Sequence, residues 1–181
     1  PWEFDAARAV FEQQIAHFRR HRHRLPDEIQ YGVMLEVPAL AEMLDTLLPR
    51  LSFVSIGTND LTQFLFAADR ADPRLAERYD WLSPTILRFL QRVVRTVGDA
   101  PVRLGVCGEM GGRRLEALAL LALGIRRLSI TPAAVGPIKE LVRQVDLAEA
   151  GAAMAGWLAA PPPDLRGVIA GWAQQRGIDV D

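Results

Sequence analysis

Short apolar runs alternate with amphipathic stretches along most of this chain. Residues 5–20 carry Val10, Phe11, Gln14, Ile15 and Phe18 at helical spacing, and Leu25-Pro26-Asp27 ends that helix. Gly32 to Pro38 is an apolar run interrupted by one carboxylate, the pattern of a buried strand that stops at proline. Leu40, Met43, Leu44, Leu47 and Leu48 predict a helix face. Leu51 to Ile56 predicts a second strand, closed by Gly57-Thr58-Asn59-Asp60, with a helical stretch from Leu61. Asp72-Pro73 and Ser83-Pro84 read as helix starts. Ile86, Leu87, Leu90, Val93, Val94 and Val97 form the clearest amphipathic helix. Val102 to Val106 is a third strand, followed by a glycine-rich turn and a helical pattern from Leu115 to Leu123. Arg126 to Ile130 is a fourth strand. Thr131-Pro132 then opens a helix expected to turn Val135, Ile138, Leu141, Val142 and Val145 inward.

This order predicts a parallel α/β fold with right-handed crossovers. A complete eightfold barrel needs about 250 residues, so these strands fit either part of a barrel or a smaller open sheet. After Asp146 the texture changes. Residues 147–160 are Ala-rich, Pro161-Pro162-Pro163 is a stiff spacer, and 164–175 predict a last amphipathic helix. The expected division is therefore 1–146 as the α/β domain and 147–181 as a helical extension. That extension reads as a packing or dimer element, or as a poorly ordered end.

Composition excludes more than it assigns. The 181 residues are 50% hydrophobic with a net charge of −1, an ordinary globular balance that predicts no attraction to nucleic acid or membrane surfaces. No run approaches the 18 or so apolar residues of a membrane span, and Pro1 to Asp5 lacks the order of a signal peptide. A start without Met suggests a piece cut from a longer protein. One cysteine forbids an intrachain disulfide and agrees with a reducing cytoplasm. Twenty arginines stand against Lys139 alone, which reads as genomic bias. All three histidines lie in His17 to His23, with no interleaved carboxylate. A solvated, cationic helix end is the expectation there, not a metal site.

Reactive side chains fall at predicted strand ends. Cys107 closes the third strand, Glu36 interrupts the first, and Asn59-Asp60 follow the second. Taken singly, each has an ordinary reading: a buried thiol, a helix-start acid, an N-cap. Together they resemble the mouth of a barrel enzyme, where reacting groups gather at C-terminal strand ends. Two carboxylates at neighbouring mouths suit Mg²⁺, which takes one or two of them and fills its octahedron with water and substrate oxygens. Arg70 follows the second strand by one helical stretch, close enough to hold a phosphate or carboxylate there.

Four segments, Gly32-Val33-Met34-Leu35-Glu36-Val37-Pro38, Ser55-Ile56-Gly57-Thr58-Asn59-Asp60-Leu61-Thr62-Gln63, Ala67-Ala68-Asp69-Arg70 and Cys107-Gly108-Glu109-Met110, resemble the phosphoenolpyruvate-utilising enzyme family in order and spacing. The likeness runs from about residue 5 to about 150. Phe64 to Arg70, Ser83-Pro84 and Leu128 to Ala134 resemble its phosphotransferase-system branch, and the nitrogen-regulatory form of that branch most. The resemblance implies the C-terminal half of a phosphoenolpyruvate-binding (β/α)8 TIM barrel, with Glu36 and Asp60 as Mg²⁺ ligands. It implies that Asn59, Asp60 and Arg70 bind substrate and that Cys107 is the acid protonating the enolate of pyruvate. It further implies transfer of the phosphoryl group to a histidine on a separate domain and then to a phosphocarrier protein, in a cytoplasmic homodimer. The first half of such a barrel and the histidine domain have no counterpart in these residues, so the fragment by itself is expected to be inactive. Gly111-Gly112-Arg113-Arg114 departs from the family's usual continuation after the cysteine. Pyruvate phosphate dikinase and phosphoenolpyruvate synthase share these motifs, and a non-catalytic dimerisation module is a further alternative.

Overall fold

The computed structural model describes residues 1–78 and 80–181, and the side chains of all of these except 76–78. In chain order the elements are α1 (Trp2–Arg20), β1 (Gly32–Leu35), α2 (Pro38–Ala41), α3 (Leu44–Leu47), β2 (Phe53–Gly57), α4 (Thr58–Phe66) and α5 (Pro84–Val97), followed by β3 (Arg103–Cys107), α6 (Arg114–Ala122), β4 (Leu128–Ser129), α7 (Pro132–Gln144), α8 (Leu147–Ala159) and α9 (Leu165–Gln174). Short 3-10 turns occupy Leu48–Arg50, Pro73–Arg78 and Glu109–Gly112.

The strands form one parallel sheet in the order β1-β2-β3-β4, so the fold is α/β. A sheet wound in sequence order by right-handed crossovers carries its connecting helices on one face. On that face Val54, Ile56 and Val106 are at most 1% exposed. They join Ile86, Leu87, Leu90 and Val93 of α5 in a single core. On the other face Ser55, Arg103, Gly105, Arg127 and Ser129 line an open hollow of about 570 Å³.

Register fixes the working edge of the sheet. Leu35 pairs with Ile56, Gly57 with Cys107, and Cys107 with Ser129. Residues 36, 57–60, 107–109 and 129–131 therefore leave the sheet side by side.

Local chemistry explains several element ends. Ser83 caps α5 by accepting from the Ile86 N–H, Pro84 fills its first turn, and Gly98 follows its end at φ +48°. The helix expected over Leu40 to Leu48 is two short helices. Met43 leaves the helical region at φ −112°, ψ 5°, and is exposed, while Leu44 and Leu47 are buried. Two faces are less buried than their spacing predicts. In α1 no residue is buried, and Val10, Phe11 and Phe18 are exposed. In α7 Ile138 and Leu141 face the core, but Val135 and Val142 are exposed. The three histidines at the end of α1 are exposed, as a solvated helix end requires.

The C-terminal segment is helical and packs on the core. Asp146 caps α8 by accepting from Ala148 and Glu149, and Asp164 caps α9 through Gly167. Arg88 of α5 donates twice to the Leu158 carbonyl, at 2.9 and 2.7 Å, closing the end of α8. Met154, Leu158, Leu165, Ile169, Ala173 and Ile178 belong to the same core as the sheet. Between them and the sheet lies α6, apolar around nearly its whole circumference and buried from Leu115 to Leu121.

Candidate functional site

Side chains alternate faces along a strand, so the register of Ser55 against Gly105 puts Ser55 and Cys107 on the same face. The Ser55 hydroxyl donates to Cys107 Sγ at 3.2 Å, and the thiol faces the Ile56 carbonyl at 3.5 Å. Thr58, 2% exposed, donates its hydroxyl to the Cys107 carbonyl at 3.2 Å. The cysteine is held at both its side chain and its backbone.

The next residue has to be glycine. Gly108 sits at φ +111°, ψ 179°, a conformation essentially closed to other residues. A Cβ there would stand 2.6 Å from Thr58 Oγ1 and 3.2 Å from Asn59 Oδ1. That close approach lets the Glu109 N–H donate to Asn59 Oδ1, while Asn59 Nδ2 donates to the Glu109 carboxylate, both at 3.4 Å. Asn59, Cys107, Gly108, Glu109, Arg113 and Thr131 help line a cavity of about 510 Å³, within the range of small-molecule sites.

Asp60 occupies the first turn of α4, where the helix dipole favours a carboxylate. Ala67, at φ +47°, ends that helix and turns the chain back. The Arg70 backbone N–H then donates to Gln63 Oε1 at 3.1 Å, and its guanidinium lies 3.7 Å from Asp60 Oδ1. Both side chains are nearly half exposed, so the pair is open to a ligand. Glu36 sits one residue beyond β1, half-buried, with no hydrogen bond or ion pair among the described residues. Its Cβ and Oε2 lie 3.2 and 3.3 Å from where a Gly57 Cβ would be, so Gly57 is the space that Glu36 occupies.

The five residues singled out in the sequence thus stand along one sheet edge. Asn59 and Cys107 share the cavity, Asp60 and Arg70 form a pair, and Glu36 stands against the end of β2 instead of lining the cavity. Four neighbours escaped the sequence reading: Ser55, Thr58, Glu109 and Arg113. Ser55 carried a signal, being with Ser52 one of two polar residues in the apolar run Leu51 to Ile56. Glu109 and Arg113 carried none, because a 3-10 turn and not a periodic element presents them. Arg113 stacks on Trp81, 4.8 Å from the ring centre.

A parallel α/β domain with polar side chains gathered at its C-terminal strand ends is the architecture of enzymes that hold small ligands there. Residues 1–147 match the family described as PEP-utilising enzyme, PEP-binding domain, and the chain belongs to that family. It is 39% identical over 148 residues to an Escherichia coli K12 protein named "Phosphoenolpyruvate-dependent phosphotransferase system", which covers 81% of this chain and 20% of that protein. It is 36% identical over 135 residues to "Multiphosphoryl transfer protein 1" of the same organism, 75% of this chain and 16% of that one. It is 33% identical over 147 residues to the "Phosphoenolpyruvate-protein phosphotransferase" of Streptococcus equinus, 81% of this chain and 26% of that protein. The chain therefore spans a quarter or less of the length of most of these relatives. No helix among the described residues is long and apolar enough to cross a membrane.

Proposed function

We propose that this chain is the C-terminal part of a phosphoenolpyruvate–protein phosphotransferase, of the nitrogen-regulatory form, and that residues 1–146 are the second half of its (β/α)8 barrel. The barrel reading is supported by the sheet itself. Parallel sheets are normally covered on both faces. Here the face bearing Ser55, Arg103 and Arg127 is open, as a barrel wall lacking its opposite side would be. Residues 147–181 form a helical extension. The whole protein works in the cytoplasm as a homodimer, and the apolar residues exposed on α1 are area that a second copy would cover.

The observation that carries the activity is Cys107 pinned at a strand end, in one cavity with Asn59, in a chain of this family. Asn59 and Arg70 bind the phosphate and carboxylate of phosphoenolpyruvate, Arg70 by the paired geometry that suits both anions. The P–O bond breaks as a histidine nitrogen on another domain takes the phosphoryl group, which passes on to a phosphocarrier protein. The enolate left behind takes the Cys107 proton at its methylene carbon: an S–H bond breaks, a C–H bond forms, and pyruvate leaves. Ser55, donating to the sulfur, holds the thiol in place and shares the charge it then carries.

Glu36 and Asp60 fit Mg²⁺. Both are oxygen donors at neighbouring strand mouths, Glu36 is unpartnered among the described residues, and Asp60 has only a long ion pair to yield. When bound, the ion supplies positive charge against the transferring phosphoryl group. The reading is tested in the full-length protein by phosphoenolpyruvate-dependent phosphorylation of a phosphocarrier with release of pyruvate. A full-length protein that folds but neither binds phosphoenolpyruvate nor releases pyruvate refutes it.

A further inference from the structure

The C-terminal segment holds the start of α6 from two sides, and α6 begins directly behind the Cys107 turn. Glu116, in the first turn of α6, points its carboxylate inward with 4% exposure, and Arg166 of α9 donates to it at 2.7 Å. The same guanidinium reaches Asp80 at 2.8 and 3.2 Å. Arg114, first residue of α6 and 11% exposed, donates from Nε to the Asp179 carbonyl at 2.9 Å. Its Nη2 stands 3.0 Å from the Asp179 carboxylate without hydrogen-bond alignment, and Nη1 meets Glu140 at 3.3 Å. Trp81, beside Asp80, supports Arg113, which lines the Cys107 cavity.

Burial makes the tie obligatory. A carboxylate out of water is costly without its cation, so the first turn of α6 follows α9. Burial alone would lower the Arg166 pKa, and the hydrogen bonds and charges of Asp80 and Glu116 together raise it. Arg166 and Asp179 lie beyond residue 147, where the family match ends.

We propose that Arg166 and Asp179 are positioning residues: the segment 147–181 fixes the start of α6 and thereby the Gly108–Gly112 turn that sets Cys107 in its cavity. This rests on the phosphotransferase reading for what Cys107 does, but the position of the turn can be read without it.

The test uses the full-length protein and the variants Arg166→Leu, Arg166→Lys and Asp179→Ala. Alkylation of Cys107 by iodoacetamide is followed by peptide mass spectrometry, alongside kcat and KM for phosphoenolpyruvate. In Arg166→Leu the alkylation rate is expected to rise at least about threefold and kcat to fall about tenfold, with KM within about twofold. Arg166→Lys, which keeps the cation, restores most of both, and Asp179→Ala gives a smaller change in the same direction. A purely structural role lowers the melting temperature alone. A folded Arg166→Leu protein whose Cys107 reactivity and kcat stay within about twofold of the parent overturns the proposal. If Arg166→Leu does not fold, the pair Glu116→Leu with Arg166→Leu, which removes the buried carboxylate together with its cation, decides by the same readouts. Changed alkylation in a protein without phosphoenolpyruvate turnover supports the positioning role and counts against the phosphotransferase reading, so the two failures are separable.

Discussion

The Ser55 hydroxyl lies 3.2 Å from the Cys107 sulfur, across two paired strands. In the proposed role the thiol must be aimed to deliver a proton to carbon, and the hydrogen bond from β2 fixes the sulfur. Ser55→Ala removes that bond and leaves the sulfur facing only the Ile56 carbonyl at 3.5 Å. A hydrogen bond of this kind contributes about 1 kcal/mol. Pyruvate release in the full-length protein is therefore expected to slow about fivefold, with phosphoenolpyruvate binding and melting temperature nearly unchanged. Equal loss in binding and turnover would assign Ser55 to substrate contact instead.

Cys107→Ala separates binding from chemistry more sharply. The side chain is small and partly exposed, and its neighbour Thr58 bonds the backbone carbonyl, not the sulfur. The turn should survive. Positioned acids contribute about 10²- to 10⁴-fold, so turnover should fall by at least 10² or so while Mg²⁺-dependent phosphoenolpyruvate binding persists. Calorimetry and a pyruvate assay on the same preparation check both halves. Turnover near the parent's rate would remove Cys107 from the acid role.

The carboxylate pair makes a different prediction. Glu36 and Asp60 leave neighbouring strands, but only Asp60 is engaged, by Arg70 at 3.7 Å. Glu36→Gln keeps shape and removes a charge that nothing described balances, so the fold should be unharmed. Mg²⁺-dependent phosphoenolpyruvate binding, titrated by calorimetry, should weaken at least about tenfold for Glu36→Gln and likewise for Asp60→Asn. Asp60→Asn also frees Arg70. If Asp60 serves Arg70 alone, that variant will lose binding in the presence and absence of Mg²⁺ alike, and the metal assignment fails.

Much of this site was legible in the sequence because strand ends are legible. Apolar runs locate β2 and β3 within two residues and the start of β1 at Gly32, although β1 stops at Leu35, three residues before the Pro38 expected to end it. A parallel sheet brings their C-terminal ends to one edge whatever the loops do. Glu36, Asn59, Asp60 and Cys107 could be gathered from that rule. Arg113 and Glu109 could not, since no periodicity announces a 3-10 turn. The helix faces of α1 and α7 misled for another reason. Helical spacing reports that a face wants cover, not what covers it, and Val10, Phe11, Val135 and Val142 are left only partly covered among the described residues. The tail was least legible. Arg166 with Glu116, and Asp179 with Arg114, are unremarkable charges in sequence and pair only because the C-terminal segment packs back over α6.

Gly108 offers the strictest test of the site geometry. Its φ of +111° and ψ of 179° belong to a region that other residues enter at about 1–3 kcal/mol. Its added Cβ would press on Thr58 Oγ1, a buried hydroxyl already committed to the Cys107 carbonyl. Gly108→Ala must either carry that strain or turn the peptide, and turning it breaks the Glu109 N–H bond to Asn59. In a domain of this size each kcal/mol lost moves the melting temperature by about 2–4 °C. Gly108→Ala should therefore melt lower by several degrees, and it should lose phosphoenolpyruvate affinity, because Asn59 loses its anchor. Gly112→Ala is the control. A Cβ there would meet only the Ala134 methyl at 3.5 Å, an ordinary contact on the rim of the same cavity. It should retain both stability and affinity. If the two variants behave alike, the left-handed turn after Cys107 is not what joins β3 to Asn59.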